Sequence, residues 1–463
     1  MSRRRSSSRS VPGSADPPAV SLVNLGCPKS LIDAEKMLGG IAVAGGLIAE
    51  NPDDADTIII NTCAFIEAAR EESWAAIREA VARKKKGQCR RVVVAGCLAQ
   101  RYGAKIRAEE PGVDAVVGFT GRDRILDVVR RMDRIAGGAV VVADPSAMRY
   151  DDRVRLRITP RHYAYLRLSE GCDHPCAFCA IPIIRGRHRS KPVAQVLEEA
   201  AELAADGAAE LNLVAQDTTF YGRDLPGNET LATILPALAD IRGVEWVRVL
   251  YAYPAHVTDE LMAVMNGHPR IVPYLDMPVQ HLSSTVLRRM RRGGDRAFLD
   301  GLVGRLRERI PGVALRTTVL TGFPGETEVE FEELLAGLRE LKFDRLGAFA
   351  FSPEAGTPAA DLPDPVPAAL AAERAARVMA VQREIAAERN HALIGRTVRV
   401  LVDEAVSGRE GRFTGRGRTA HDAPEIDGVV LVKSATPLAP GAFVDVLIEK
   451  AEVHDLEGTA VGG

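Results

Sequence analysis

Residues 155–365 alternate apolar, β-forming segments with helical segments six times, and this alternation constrains the fold more than any other feature. Strands that alternate with helices form parallel sheets covered by helices, so six such units predict a partial (β/α)6 barrel. Functional residues in barrels lie on the loops that follow the carboxyl ends of the strands. The predicted strands begin at Tyr163, Glu210, Trp246, Val272, Ala314 and Arg345.

The first of these loops carries Cys172, Cys176 and Cys179 in a C-x3-C-x2-C spacing. A structural zinc site has four protein ligands and a 4Fe-4S cluster usually has four thiolates, so three thiolates predict a metal site with an open position. Open positions are where bound metals act on other molecules. The alternatives are a zinc site completed by His174 or His188, and three unrelated thiols. Zinc sites normally have a second cysteine pair downstream, and no such pair follows.

Residues 21–150 show the same alternation and predict an open parallel sheet with helices on its faces. Cys27, Cys63 and Cys97 each end a predicted strand of this sheet. Because the carboxyl ends of parallel strands meet at one edge, the three thiols predict a second open cluster site there. The alternative is three buried structural cysteines. Cys89 follows no strand, and we expect it to be a spare thiol.

Polar or glycine-rich segments also follow three other predicted barrel strands. Glycine lets the backbone approach a ligand closely, and helix N-termini favour anions. We therefore expect Gly322, Gly325 and Glu326 to form part of a cofactor-binding wall. The three segments are 216–219, 278–281 and 321–327.

Two basic segments each allow two interpretations. Residues 183–191, just after the cysteine loop, are either a solvated charge run or a grip for an anionic substrate or cofactor carboxylate. Residues 1–20 are rich in Arg, Ser and Pro and lack the apolar stretch of a secretory signal. Such a segment buries too little apolar surface to order itself, which predicts a disordered tail; an RNA-contacting arm is the alternative.

The composition changes after the barrel. Residues 366–394 are rich in alanine and arginine and predict a connecting helix, and residues 395–458 alternate β formers with glycine turns. This last pattern predicts a small all-β, OB-like barrel. From 395 to 455 there are 8 Lys plus Arg and 10 Asp plus Glu, a net charge of 8 − 10 = −2. An acidic barrel is a poor general RNA binder, so we expect a basic protein partner and no direct nucleic-acid binding.

The whole chain has 463 residues, a formal net charge of −2 and no apolar run of membrane-spanning length. This length predicts about three domains, and the charge gives no general attraction to nucleic acid. Seven cysteines without a secretory signal indicate metal or redox use rather than a disulfide framework. We therefore expect a cytoplasmic protein that does not enter the membrane.

The order of these parts resembles the methylthiotransferase family of radical S-adenosylmethionine (radical SAM) enzymes. The resemblance lies in an N-terminal three-cysteine domain, a radical SAM barrel and a C-terminal TRAM domain. It implies two 4Fe-4S clusters, with S-adenosyl-L-methionine at the barrel cluster and Phe178 beside its adenine. Ser30 departs from the family, in which asparagine is common at this place. The motifs that carry the resemblance are 24–29, 61–65, 96–100 and 170–180.

The family has two branches, and both imply the same cluster chemistry. One modifies a tRNA adenosine, at C2 of isopentenyladenosine; the other modifies the β-carbon of an aspartate in small-subunit ribosomal protein twelve. Residues 216–222 and 422–428 are similar to the ribosomal-protein branch. That branch implies a basic ribosomal protein as substrate and a reductant protein as electron donor. The tRNA enzyme is the main alternative, and a non-catalytic iron–sulfur binding protein and a structural zinc protein are the others.

The resemblance also implies a division of labour. The cluster on Cys172, Cys176 and Cys179 cleaves S-adenosylmethionine to a radical that removes a hydrogen from the aspartate β-carbon. The cluster on the other set, Cys27, Cys63 and Cys97, presents sulfur, and a second S-adenosylmethionine supplies the methyl group.

Overall fold

The structure is a computed structural model that describes residues 18–131, 139–148, 150–406 and 413–461. The chain forms two compact units, one of residues up to 64 with 68–143 and 154–156, the other of 65–67, 144–153 and 157 onward. Most of the predicted tail lies outside the described residues, but Ala19 and Val20, which we assigned to it, begin the first strand. Within the described ranges, every helix is too short or too polar to span a bilayer.

The first unit contains a six-stranded parallel sheet with the strand order β2-β1-β3-β4-β5-β6. β3 and β4 are buried along their whole length, as expected for strands covered on both faces. The sequence analysis missed β2, which is too short to show a recognisable periodicity, and it also missed β6. The strands are β1 Ala19–Asn24, β2 Leu47–Ile48, β3 Thr57–Thr62, β4 Arg91–Gly96, β5 Ala115–Val117 and β6 Ala139–Val141.

Two helices of the first unit begin at the edge where the strands end. α1 starts directly after Cys27, with proline in its first turn, a residue that favours helix starts. α3 starts at Cys97 itself. The helices are α1 Pro28–Val43, α2 Glu67–Lys85, α3 Cys97–Tyr102, α4 Ala104–Glu109 and α5 Ile125–Arg131.

The second unit contains the predicted partial barrel, a parallel sheet with the strand order β14-β13-β12-β11-β10-β7. Along β10, Leu211 and Leu213 belong to the large apolar core, while Glu210 and Asn212 alternate with them on the other face. The barrel strands are β7 Tyr163–Arg167, β10 Glu210–Val214, β11 Trp246–Val249, β12 Ile271–Asp276, β13 Ala314–Thr321 and β14 Arg345–Ala350, and a short antiparallel pair is β8 Ser169–Glu170 with β9 Arg189–Ser190.

Helices separate the barrel strands, and a long helix leads out of the barrel. The helices are α6 Ile181–Arg185, α7 Val193–Ala205, α8 Leu231–Ala239, α9 Asp259–Gly267, α10 Ser284–Arg289, α11 Arg296–Arg309, α12 Glu328–Leu341 and α13 Ala368–His391.

The C-terminal module is a closed barrel of five strands in the order β15-β16-β17-β19-β18. The prediction of a small β-barrel is therefore confirmed. Its own apolar core includes Val400, Val432 and Ile448. The strands are β15 Thr397–Val406, β16 Phe413–Thr419, β17 Val430–Ser434, β18 Phe443–Ala451 and β19 Leu456–Ala460.

The loop between β16 and β17, residues 420–429, closes the amino end of the (β/α)6 barrel, and we call it the closing loop. Asp422 accepts a hydrogen bond of 2.7 Å from Arg345, the first residue of β14. Tyr274 and Tyr163 donate hydrogen bonds of 2.6 and 2.8 Å to Asp427 and Glu425. The segment that resembles the ribosomal-protein branch is thus used for packing inside the protein.

Charges behind the closing loop are buried but paired. Glu210, the first residue of β10, accepts 2.8 Å contacts from Arg248 and from Arg418 of β16. All three side chains are almost fully buried. A buried ion needs such partners, since leaving one uncompensated is strongly destabilising. These pairs join the β-barrel module firmly to the (β/α)6 barrel.

Candidate active site

The loop with Cys172, Cys176 and Cys179 follows β7 and β8 at the carboxyl end of the barrel and is held by backbone hydrogen bonds on two sides. The Cys172 amide donates to the Gly186 carbonyl at 3.1 Å, and the Ala177 amide donates to the Met290 carbonyl at 2.9 Å. Gly171, which opens the loop, has φ +74°, and a Cβ there would lie 1.9 Å from the Arg187 carbonyl oxygen. Only glycine fits this close approach.

We expect Gly171→Ala to disrupt the cysteine loop, because the added methyl group meets rigid backbone at 1.9 Å. The melting temperature and the iron bound after reconstitution should both fall. Gly312→Ala is the matched control, because Gly312 also has positive φ, +76°, but no atom within 4 Å of the added Cβ. The control should cost only about 1–2 kcal/mol of backbone strain. Equal losses in the two variants would contradict the steric argument.

Two basic residues of the segment 183–191 form buried ion pairs next to the cysteine loop. Arg185 contacts Glu170 at 2.6 Å, and both side chains are buried. Lys191 contacts Asp152 at 2.6 Å and also pairs with Glu199, again in the interior. Both interpretations of the segment were therefore wrong for Arg185 and Lys191, which are neither solvated nor available to a ligand. Their pairing fixes the base of the cysteine loop.

The thiols themselves lie in an environment that suits metal ligation. Burial raises the pKa of Cys172 to about 11 and that of Cys179 to about 12, so without a cation both favour the neutral thiol. Arg292 lies 3.4 Å from the sulfur of Cys176. A metal supplies the positive charge that buried thiolates need, since ligating thiols are deprotonated.

The spacing of the sulfurs does not suit zinc. Four-coordinate zinc with Zn–S bonds of about 2.3 Å requires sulfurs roughly 3.8 Å apart. Within the described residues, ligand atoms of His174, Asp217 and His256 all lie within 4.8 Å of one another. The three sulfurs of neither cysteine set are gathered this closely. A 4Fe-4S cluster does not need ligands on a single metal ion, because its irons are held by separate thiolates.

Gln216, directly after β10, has an amide that points to a ligand. Both its nitrogen and its oxygen are buried, and neither has a hydrogen-bond partner among the described residues. Buried polar groups are normally satisfied, so an orphaned amide indicates a bound molecule or water. Its place at the carboxyl end of the barrel, beside the cysteine loop in the strand order, fits a polar cofactor.

The predicted cofactor wall lies close to Phe178 but uses its polar groups internally. Phe178 packs against an apolar cluster that contains Phe323 of the wall. Glu326 accepts hydrogen bonds from the Gly322 amide at 2.9 Å and from Arg374 at 2.8 Å, and its side chain is fully buried. The carboxylate therefore shapes the loop. The assignment of Phe178, Gly322 and Gly325 to the cofactor stays a prediction.

The sequence analysis missed a polar cluster beside the cysteine loop. His174 and His256 both donate to the same carboxylate oxygen of Asp217, at 2.7 and 2.8 Å. Burial opposes ionisation of Asp217, but these hydrogen bonds and those from Thr219 outweigh it and hold the pKa of the carboxyl well below its ordinary value. We considered His174 only as a zinc ligand, and nothing in the sequence around His256 marked it as functional.

The second cysteine set is brought together by strand register. Thr62 of β3 pairs with Gly96 of β4, so the residues that follow, Cys63 and Cys97, stand side by side. Gly26, next to Cys27, has φ +100°, and a Cβ there would lie 3.0 Å from the Cβ of Cys63. The three cysteines thus meet at one sheet edge, where α1 and α3 begin. Helix N-termini stabilise negative charge, including that of thiolates.

Ser30 has a structural role in this edge. Its hydroxyl donates to the Leu25 carbonyl at 2.8 Å and accepts from the Asn61 amide at 3.0 Å. Asn61 also donates to Asn24 at 2.8 Å. The departure from the family pattern therefore preserves a polar link between the two chain segments that carry Cys27 and Cys63. Cys89, in contrast, lies buried near the Ala80 carbonyl.

Family models match three parts of the chain. An uncharacterized protein family, UPF0004, matches residues 19–118, the radical SAM superfamily matches 166–337, and the TRAM domain matches 394–461. The radical S-adenosylmethionine methyltransferase TsrM from Kitasatospora setae has a similar fold, with a TM-score of 0.53 and 14% identity over 74% of this chain and 77% of that one.

Curated relatives are similar over nearly the whole chain. The ribosomal protein uS12 methylthiotransferase RimO of Anaeromyxobacter sp. (strain K) is 47% identical over 94% of this chain and 92% of its own. The protein of the same name from Desulforamulus reducens is 42% identical over 95% and 99%. With the three domains in the family's order and both cysteine sets assembled at strand ends, this chain belongs to the RimO family of radical SAM methylthiotransferases.

Proposed function

We propose that this protein adds a methylthio group to the β-carbon of an aspartate in ribosomal protein uS12. The observation that carries the proposal is the pair of three-cysteine sets, each at the carboxyl ends of parallel strands, in a chain 42–47% identical to relatives named for that reaction. The tRNA-modifying alternative is not favoured, because the relatives that are 42–47% identical are named as uS12 enzymes. The acidic C-terminal β-barrel, which is a poor general RNA binder, also argues against a tRNA substrate.

Two 4Fe-4S clusters and S-adenosyl-L-methionine, when bound, supply three things: the sulfur, the methyl group, and the radical that removes an unactivated hydrogen. The protein's part is to hold these groups in place. Cys172, Cys176 and Cys179 would hold one cluster at the barrel mouth, and the other set would hold the second. The orphaned amide of Gln216 fits a polar part of S-adenosylmethionine.

Several residues prepare the barrel mouth without touching the reacting atoms. The buried pair of Arg185 and Glu170 anchors the cysteine loop, so the ligands keep their places when the substrate arrives. Glu326 accepts a hydrogen bond from the Gly322 amide, and the next residue, Phe323, belongs to the apolar cluster that packs against Phe178, the residue we assign to the adenine. The reaction also needs single electrons, and we propose a reductant protein as their source.

The test is anaerobic reaction of the reconstituted enzyme with purified ribosomal protein uS12, S-adenosylmethionine and a reductant. We expect uS12 to gain the mass of one methylthio group in place of one hydrogen, with fragmentation placing it on an aspartate. A uS12 variant with that aspartate changed to alanine is the control and should gain nothing. Modification of tRNA adenosine instead of uS12 would overturn the proposal.

A further inference from the structure

Three loops at the barrel mouth converge on the carboxylate of Asp217. His174 lies in the cysteine loop between Cys172 and Cys176, Asp217 follows β10, and His256 follows β11. Neighbouring strands of one parallel sheet carry all three loops. The cluster therefore lies at the carboxyl ends of the strands, on the same face of the barrel as the predicted chemistry.

Both carboxylate oxygens of Asp217 accept hydrogen bonds from residues of the cluster. One carboxylate oxygen accepts from His174 Nε2 at 2.7 Å and from His256 Nδ1 at 2.8 Å. The other oxygen accepts from the Thr219 amide at 2.9 Å and from the Thr219 hydroxyl. These distances are those of good hydrogen bonds. Asp217, whose side chain is 3% exposed, thus acts as a buried anchor for two imidazole rings.

The two rings are held rigidly and each has one nitrogen left over. His174 stacks on Tyr253 with ring centroids 3.9 Å apart, and Phe220 lies 5.7 Å from His174 and 5.1 Å from His256. Within the part of the chain that the structure describes, the second nitrogens, His174 Nδ1 and His256 Nε2, make no hydrogen bond. The side chains are 14% and 15% exposed, so a ligand in the barrel mouth can reach them.

We propose that His174 and His256 bind the side-chain carboxyl group of the substrate aspartate through these second nitrogens, with Asp217 as the positioning residue. This inference rests on the proposed function and names the groups that select the target residue. An imidazole nitrogen and a carboxyl group share one proton in a charge-assisted hydrogen bond, whichever of them holds it. Two such hydrogen bonds, one from each ring to one carboxyl oxygen, need two protons besides those donated to Asp217, and these are taken up from solution with the carboxylate.

The position of the cluster explains how binding the carboxyl group would help the reaction. The carbon to be modified is bonded directly to the carboxyl group, so fixing the carboxyl fixes the carbon. His174 is two residues from Cys172 and from Cys176, so the bound carbon stays close to the predicted radical source. Reactions of this kind depend on holding the reacting atoms in place, and small displacements cost much of the rate.

The test is a double-mutant cycle on substrate binding to the reconstituted enzyme. His256→Asn is the enzyme variant, because the asparagine amide replaces Nδ1, which bonds Asp217, and removes Nε2. The substrate variant is uS12 with the target aspartate changed to asparagine. Dissociation constants for the four combinations are measured anaerobically by calorimetry. His268→Asn is the matched control, because His268 pairs with Asp240 at the surface.

We expect either single change to weaken binding about tenfold or more, as for loss of a hydrogen bond to a charged group. The two changes together should cost little more than one, because both remove the same contact. The control variant should behave as wild type. Additive losses would overturn the inference, as would a stoichiometric non-iron metal that binds wild type and is lost from Asp217→Asn. If wild type binds and modifies uS12 normally, such results leave the proposed function standing.

Discussion

Replacing Cys176 with alanine is expected to abolish cleavage of S-adenosylmethionine and to remove about four of roughly eight iron atoms per chain. Three thiolates are the minimum that holds an open cluster, and the loop offers no spare sulfur at this position. Burial penalises the thiolates of Cys172 and Cys179, so two remaining ligands would revert to neutral thiols rather than retain iron. Deoxyadenosine is quantified by chromatography and iron by absorption spectrometry.

Cys89→Ala is the control for this experiment, because Cys89 is a buried cysteine that belongs to neither cysteine set. It should keep the full iron content and full deoxyadenosine production. The same loss is expected for Cys172→Ala and Cys179→Ala. Deoxyadenosine formation that persists in all three variants would show that the radical arises elsewhere.

Replacing Cys63 with alanine is expected to separate the two halves of the reaction. Cys63 stands beside Cys97 in register, and Gly26 brings Cys27 against it, so its loss leaves two thiols at the sheet edge. About half of the iron should be lost, and methylthiolated uS12 should fall below detection. Cleavage of S-adenosylmethionine should continue, because the barrel set is intact.

The measurement is the ratio of deoxyadenosine to methylthiolated protein in the same reaction. Wild type should give a finite ratio, and Cys27→Ala, Cys63→Ala and Cys97→Ala should each make it very large. Methylthiolation that survives in these variants would mean that sulfur does not come from the second cysteine set. Melting curves check that the ratio does not reflect an unfolded first unit.

Much of the fold followed from the sequence because its elements are strongly periodic. All six barrel strands and the register that gathers Cys27, Cys63 and Cys97 depend on long apolar runs that end at the same edge. β2 escaped because it is only two residues long, whereas β6 was missed although β5, which has the same length of three residues, was predicted. Ala19 and Val20 were assigned to a tail because polar residues precede them in the sequence.

The parts of the site that were missed depend on contacts between distant segments. Asp217 and His256 are 39 residues apart, and only the barrel brings them within hydrogen-bond distance. Arg185 and Lys191 looked like a surface charge run because their buried partners, Glu170 and Asp152, lie outside that run. Local patterns predict elements well, but they carry no information on which charges become paired inside.

The closing loop has a consequence for how this protein can change over evolution. Its carboxylates are hydrogen-bonded to groups on the barrel strands, such as Arg345 of β14 and Tyr274 of β12. Exchange of the C-terminal module for that of a distant relative would leave buried charges without partners. The C-terminal module therefore cannot be exchanged independently of the barrel. New substrate preferences must arise at the opposite, open end of the barrel, or through matched changes in the closing loop and in the barrel residues that it contacts.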